Sequence, residues 1–141
     1  MSDKSILAKF SPQDATMAAL CVAQKLSGCP EHALHDFLDK QKAIGDAPRT
    51  DALALTQDIL DAPQGFDTLL DLLADSLSAA QSPTVYMLCA DFIAQHGTVS
   101  PEEMRFLERL GEALAIDRLS RAAFDHAAQA RAAPLEGDDN E

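Results

Sequence analysis

Apolar residues recur along the chain at intervals of three and four, the spacing that places side chains on one face of an α-helix. One stripe in the middle of the chain comprises Phe66, Leu69, Leu70, Leu73 and Leu77. Two later stripes comprise Val85, Leu88, Cys89 and Phe92, and Met104, Leu107, Leu110, Gly111 and Leu114. The polar side of the first stripe carries Asp67, Asp71 and Asp75. Each stripe is typical of an amphipathic helix with one face in the protein core.

Short polar residues mark four predicted helix starts. These residues are Ser11, Thr50, Ser82 and Ser100, and a proline directly follows all of them except Thr50. A Ser or Thr side chain can accept a hydrogen bond from the first helical turn, and proline suits the first helical position because its missing N–H would be unpaired there. Glu103 stands three residues after Ser100, which is the spacing of a capping box.

Stripes, caps and breaks together predict seven helices and no sheet. We place the helices near residues 12–27, 30–43, 50–62, 65–79, 83–95, 101–114 and 117–132. The breaks are short, so neighbouring helices can pack nearly antiparallel. The apolar residues are mostly Ala and Leu rather than the β-branched and aromatic types that favour strands. We therefore expect an all-α fold, a compact bundle of about seven helices.

The length and composition indicate a single domain. The chain has 141 residues, of which 47% are hydrophobic, enough to bury one continuous core. We expect residues 1–133 to form this helical domain. Residues 134–141 contain four acids and almost nothing apolar. Such a segment cannot offset the entropy of ordering itself, so we expect an acidic, disordered tail.

The charge excludes some classes of partner. The net charge is -12, which would repel a phosphate backbone, so we expect no nucleic acid. No apolar run approaches the roughly 20 residues that span a bilayer, so we expect no membrane insertion. The first ten residues lack a secretory signal, and we expect a cytoplasmic protein. Cys21, Cys29 and Cys89 cannot all pair and form no Cys-x-x-Cys, which indicates free thiols.

An internal repeat is visible when the sequence is shifted by 69 residues against itself. The shift places Gly28 on Gly97 and residues 37–40 (FLDK) on residues 106–109 (FLER). Amphipathic helices share their period by construction, so part of this match is generic. The interpretation of a duplication predicts two halves related by a pseudo-two-fold axis.

The chain resembles the small bacterial members of the tellurite-resistance TerB family. The stretches that carry the resemblance are residues 11–15 (SPQDA), 89–103 (CADFIAQHGTVSPEE) and 114–119 (LAIDRL), the last followed by an Ala-rich helix that ends at Arg131. The resemblance covers roughly residues 10–132. It implies a seven-helix, TerB-like fold with two pseudo-repeated helical pairs. It also implies an association with resistance to tellurite and related chemical stress.

The resemblance also raises the question of a metal site. In the family, each repeat tends to carry Asp-Gly and, six residues after the Gly, a Glu, and these carboxylates have been proposed to bind a divalent cation. Here the second repeat has His96 and Glu103 at these positions, and the first has Ser27 and Leu34. Three of the four carboxylates are absent, whereas calcium takes about 6 to 8 oxygen ligands. We therefore predict no metal and no cofactor.

Two weaker metal hypotheses stay open at this stage. His96 and Glu103 could share a softer ion such as zinc. His32 and His35, near Asp36 and Asp39 on one predicted helix, could do the same, although such a polar face is most often only solvated. His126 is assigned no role. The chain contains no Gly-x-Ser-x-Gly and no phosphate-binding glycine loop, so we predict no catalytic residues and no enzyme activity.

These observations lead to one functional hypothesis and two alternatives. The first is a non-enzymatic helical interaction protein in bacterial tellurite or chemical-stress resistance, which docks a protein partner. Its acidity would favour a basic surface on that partner. The alternatives are a divalent metal-binding or metal-sensing module and a small enzyme built from dispersed acids. A homodimer is compatible with all three, because symmetric pairing is the commonest oligomeric state.

Overall fold

Seven α-helices account for most of the part of the chain that the computed structural model describes, residues 11–41, 50–97 and 99–133. In chain order they are α1 (Pro12–Ser27), α2 (Glu31–Asp39), α3 (Thr50–Asp61), α4 (Gly65–Ser76), α5 (Ser82–Gln95), α6 (Pro101–Ala113) and α7 (Arg118–Ala132). These ranges contain no strand, and the prediction of an all-α bundle of about seven helices is confirmed. The predicted tail, residues 134–141, lies outside the described residues.

Helix α1 is the central element of the bundle. Every residue from Ala15 to Ala23 is buried, so the helix has no solvent-facing side over two and a half turns. A helix that is apolar all round must be enclosed by other elements, and α1 packs against α2, α3, α4, α5 and α6. Most of its buried side chains are small, which lets the surrounding backbones approach closely.

The positions of the helices repeat after 69 residues, as the sequence does. Shifting α1, α2 and α3 by 69 gives 81–96, 100–108 and 119–130, against observed ranges of 82–95, 101–113 and 118–132 for α5, α6 and α7. Packing repeats as well, because α1 contacts α2 and α3 while α5 contacts α6 and α7. Gly28 and Gly97 both have positive φ, +73° and +109°, a conformation that L side chains rarely adopt. The repeat therefore comprises three helices on each side of α4.

Two of the four predicted N-caps are confirmed. The Ser11 hydroxyl accepts from the Asp14 N–H at 3.0 Å, and the Ser100 hydroxyl accepts from the Glu103 N–H at 3.1 Å. In both cases the acidic side chain accepts from the N–H of the cap residue, which completes a capping box. Glu103 therefore has the capping role that its spacing predicted.

The other two N-cap predictions are wrong because each predicted cap residue is already the first residue of its helix. Thr50 is the first residue of α3 rather than the residue before it. Ser82 is likewise the first residue of α5, and its hydroxyl donates to the Ser78 carbonyl at 3.0 Å. The reciprocal pair stands one turn earlier, where Ser78 N–H donates to the Gln81 side chain at 2.8 Å and Gln81 N–H donates to the Ser78 hydroxyl. The Ser-x-x-Gln spacing of residues 78–81 indicates this helix start, whereas the Ser-Pro pair at residues 82–83 indicates a start that is too late.

The buried faces match most of the apolar stripes. Leu69, Leu70, Leu73 and Leu77 are buried, and Phe66 packs against the core from a half-buried position. All four residues of the α5 stripe are buried as well. None of the helices in the described ranges is both long enough and apolar enough to cross a membrane.

The enclosure of α1 predicts that its small residues tolerate no enlargement. Ala18→Leu places three additional carbons at a site with no solvent exposure, and overpacking should lower the free energy of unfolding by about 3 kcal/mol. Ala74→Leu is the matched control, because Ala74 is exposed on α4, and its effect should stay within about 0.5 kcal/mol. Urea denaturation followed by circular dichroism measures both. Equal effects of the two substitutions would contradict the central position of α1.

Candidate functional site

A cleft of about 650 Å³ opens between α5, α6 and α7. Both α6 and α7 pack on α5, whereas they make little contact with each other. Its apolar lining includes Ala90, Ile93, Ala94, Val99 and Leu107. Its polar lining includes Tyr86, Arg105, Arg118, Arg121 and Asp125. Its size and its mainly apolar surface with a few polar groups are typical of a ligand or peptide site.

Tyr86 and Asp125 form a polar pair in this cleft. The Tyr86 hydroxyl donates to an Asp125 carboxylate oxygen at 2.8 Å, which joins α5 to α7. Tyr86 is only 1% exposed, and burial, followed by the hydrogen bond to Asp125, raises its pKa above the ordinary value. Burial also raises the pKa of Asp125, while the Tyr86 hydrogen bond and the Arg121 charge oppose that shift. The pair fixes the two helices together and keeps the phenol protonated.

Arg121 is held against α6 by a glycine. A Cβ built on Gly111 would lie 2.1 Å from Arg121 Cδ, so only glycine leaves room for this side chain in its present position. One terminal nitrogen, Nη1, donates to the Glu108 carbonyl at 3.1 Å. The buried Nε has no hydrogen-bond partner among the described residues. The Arg121 side chain therefore connects α7 to α6, and its Nε–H donates no hydrogen bond to a described residue.

The arginines of α6 and α7 divide into a paired and an unpaired group. Arg109 forms an ion pair with Asp67, and Arg131 with Asp91 at 2.6 Å. In the described ranges, no carboxylate lies within ion-pair distance of the other three. These three are Arg105, Arg118 and Arg121, and all of them line the cleft. In a chain of net charge -12, the arginines of α6 and α7 that form no ion pair with a described residue therefore all lie at this cleft.

Met104 corrects the predicted core of α6. The sequence stripe assigned it to the buried face, but its side chain is 61% exposed at the rim of the cleft. The buried face instead runs through Glu103, Phe106, Leu107, Leu110 and Gly111. Both sets fit a helical period and share Leu107, Leu110 and Gly111, but at the N-terminal end Glu103 and Phe106 are buried in place of Met104. The apolar pattern favoured Met104 because a charged residue is rarely buried.

Glu103 can be buried because its carboxylate has hydrogen-bond donors. It is only 4% exposed. One oxygen accepts from the Ser100 N–H at 2.8 Å and the other from the Ser27 hydroxyl at 2.6 Å. Buried charge is tolerated when its hydrogen bonds are satisfied. The second bond joins the end of α1 to the start of α6 and therefore links the two halves of the repeat.

The structure gives the sequence-predicted metal residues different partners. His96 is exposed, and its Nδ1 lies 2.6 Å from the Phe92 carbonyl, while Glu103 is held by Ser27 and Ser100. On α2, His32 is exposed, and His35 Nε2 lies 3.7 Å from a Glu31 oxygen. No group of three or more His, Cys, Asp or Glu side chains suited to one metal ion occurs within residues 11–41, 50–97 and 99–133.

The cysteines and His126 lie apart from the cleft. Cys21, Cys29 and Cys89 are free, the first and last are buried, and none lines the cleft. Burial raises the pKa of the Cys21 and Cys89 thiols, which keeps them in the less reactive protonated form. His126 is exposed on α7 and does not line the cleft.

Sequence reasoning missed Tyr86, Arg121 and Asp125 as a group. A local signal was present, since Arg121 and Asp125 are four residues apart on one helix and Tyr86 is the one tyrosine of the chain. Their meeting depends on the packing of α5 against α7, which no spacing in the sequence encodes.

No protein-family model, curated protein or solved structure matches the chain. The resemblance to the TerB family therefore remains an inference from the residues quoted above.

The Tyr86–Asp125 pair predicts a shifted phenol titration. Because burial and the hydrogen bond raise the folded-state pKa of Tyr86, the neutral phenol stabilises the fold fully below about pH 10. That stability is lost as the pH rises towards the folded-state pKa. Tyrosinate absorbance reports Tyr86 alone, since the chain has one tyrosine and no tryptophan. Asp125→Asn should lower the midpoint and Asp75→Asn should not. Identical midpoints in both variants would refute the coupling.

The contact between Gly111 and Arg121 predicts non-additive stabilities. Gly111→Ala improves helix propensity but displaces Arg121 from its position on α6. In the Arg121→Ala background, Gly111→Ala still improves helix propensity but no longer displaces an arginine side chain. The change in the free energy of unfolding caused by Gly111→Ala should therefore be about 1 kcal/mol more favourable in that background. A double-mutant cycle from urea denaturation measures this difference. If the changes in unfolding free energy of the two substitutions are additive, the Arg121 side chain moves away from position 111 without an energetic cost, and the prediction is wrong.

Proposed function

We propose that the chain is a non-enzymatic helical interaction protein that docks a protein partner in the cleft between α5, α6 and α7. The observation that carries this proposal is the mainly apolar lining of the cleft, at whose rim Met104 is 61% exposed. Exposed apolar surface of this kind marks interaction sites, and methionine adapts its shape to different partners.

The polar groups of the cleft favour binding over chemistry. Tyr86 is buried, holds its proton and is already bonded to Asp125. Arg121 is held by Gly111 and the Glu108 carbonyl. Groups fixed in this way pre-organise a surface, which reduces the entropic cost of binding. The Tyr86 hydroxyl has a carboxylate base in reach, but at 1% exposure this side chain is closed to a substrate.

We extend the proposal to bacterial resistance against tellurite or related chemical stress, on the basis of the TerB resemblance. The number of helices in the described residues, seven, agrees with the fold that the resemblance implies, although the repeat aligns three helices, α1 to α3 with α5 to α7, rather than the expected pairs. A cytoplasmic location is part of the same proposal, and three free cysteines suit a reducing compartment. The predicted homodimer remains a prediction.

Site-specific photo-crosslinking tests the docking site. Met104 is replaced by p-benzoylphenylalanine in cells of the source organism, and Asp75, an exposed α4 residue outside the cleft, is replaced in the same way as the control. Irradiation should give a defined adduct with another protein at position 104 and not at position 75, because only the cleft rim contacts the partner. Immunoblotting and mass spectrometry detect the adduct. Absence of an adduct at 104, or equal adducts at both positions, would reject the site.

Growth on tellurite tests the biological setting. Deletion of the gene should lower the tellurite concentration that the organism tolerates, and the wild-type gene should restore it. A Met104→Asp variant should fail to restore it, whereas Asp75→Asn should succeed. Unchanged tolerance in the deletion strain would remove the link to tellurite but leave the docking site intact.

A further inference from the structure

A continuous groove runs along the whole of α7. The cleft shares Ala94, Val99, Met104 and Gln129 with a second cleft of about 660 Å³, which extends to Ala132 and Ala133. On α7 the lining residues include Arg118, Arg121, Asp125, Gln129 and Ala132, at spacings of three and four that form one helix face. A helix of 15 residues is about 22 Å long. The groove therefore has the length of roughly four helical turns.

The middle of the groove has the surface that a second helix needs. Ala94, Val99 and Met104 border it in both clefts, and alanines allow close approach of a helix backbone. Met104 stands at the rim with three rotatable bonds, so it can fold down over an incoming apolar side chain. Amphipathic helices bind in grooves of this kind with their apolar face inward.

The two clefts that form the groove differ in charge. The first cleft carries Arg105, Arg118 and Arg121, none of which forms a salt bridge with a described residue. Glu108 and Asp125 also line the first cleft, so the formal charge of its lining is positive by one. The second cleft is lined by Gln95, Gln129, Ala132 and Ala133 and, among the described residues, by no charged group. The groove is thus cationic at the end formed by the first cleft, and the described lining of the other end is neutral.

We propose that the groove binds an amphipathic helical segment of a partner protein whose acidic end lies against Arg105, Arg118 and Arg121. This inference rests on the proposed function and specifies the chemistry of the partner. It differs from the expectation drawn from net charge, because the total of -12 favours a basic partner while the groove presents unpaired arginines. Arginine binds carboxylates through paired N–H donors, so acidic side chains are the natural ligands of this end.

Two designed peptides test the proposal directly. Both are 18-residue helices in design, on the order of the groove length, with the same leucine face, and they carry either glutamates or lysines at one end. The glutamate peptide should shift the amide resonances of α5 to α7 and the Met104 methyl resonance of the isotope-labelled protein, and it should bind about tenfold more tightly than the lysine peptide. Its affinity should fall with added salt, because exposed ion pairs are screened.

Arginine variants provide the control. Arg105→Gln and Arg118→Gln should each weaken the glutamate peptide by about threefold to fivefold, the range of an exposed ion pair. Arg131→Gln removes the same charge from an arginine paired with Asp91 outside the groove, and it should leave the affinity unchanged. Equal binding of both peptides, a preference for lysine, no shift in the groove, or equal affinities in all three variants would overturn the acidic-segment proposal.

The outcomes separate this inference from the function on which it rests. If position 104 crosslinks a partner, but Arg105→Gln and Arg118→Gln capture it as efficiently as the wild type, the docking site stands and the acidic segment is rejected. If position 104 crosslinks nothing, the docking function itself is rejected.

Discussion

The complete enclosure of α1 is the constraint on which the rest of the structure depends. With nine consecutive residues buried, this helix requires neighbours on every side, and α2 to α6 provide them. Helix α7 is not among these neighbours. It packs on α5, and Ala128 is its one fully buried residue. The molecule therefore has an enclosed central helix, and α7 lies at the periphery with most of its side chains exposed or half-buried.

This arrangement accounts for the position of the cleft. Helices α6 and α7 both lean on α5 but pack poorly on each other, so space remains between them. The Tyr86–Asp125 hydrogen bond and the fit of Arg121 on Gly111 fix the walls. Because these bonds use groups from three helices, the cleft is a rigid consequence of the fold. These walls and the exposed Met104 are the features on which the proposed recognition of a helical segment rests.

The sequence predicted the fold well because helix formation depends on local signals. Periodic leucines and two Ser-Pro caps located the helices to within a few residues. The sequence predicted the capping role of Glu103 but not its burial, and it wrongly assigned Met104 to the core, since two helix faces fit the same period. The Ser27 hydroxyl, which satisfies the second oxygen of the buried carboxylate, is distant in sequence. The sequence also could not show which arginines lack an ion pair. Arg109 and Arg131 pair with Asp67 and Asp91, which belong to other helices. Net charge therefore points to a basic partner surface, whereas we propose from the groove that an acidic segment binds there.

The hydrogen bond between Ser27 and Glu103 has a consequence for the history of the repeat. Under the 69-residue shift, its counterparts are His96 and Leu34, and leucine has no group that could make the same bond. A half-length ancestor that paired with an identical copy would have made the same contacts twice. In the present chain the first half supplies the donor, Ser27, and the second half supplies the acceptor, Glu103, so the two halves are not interchangeable. Duplication followed by this specialisation would commit the chain to folding as one unit, with each half completed only by the other.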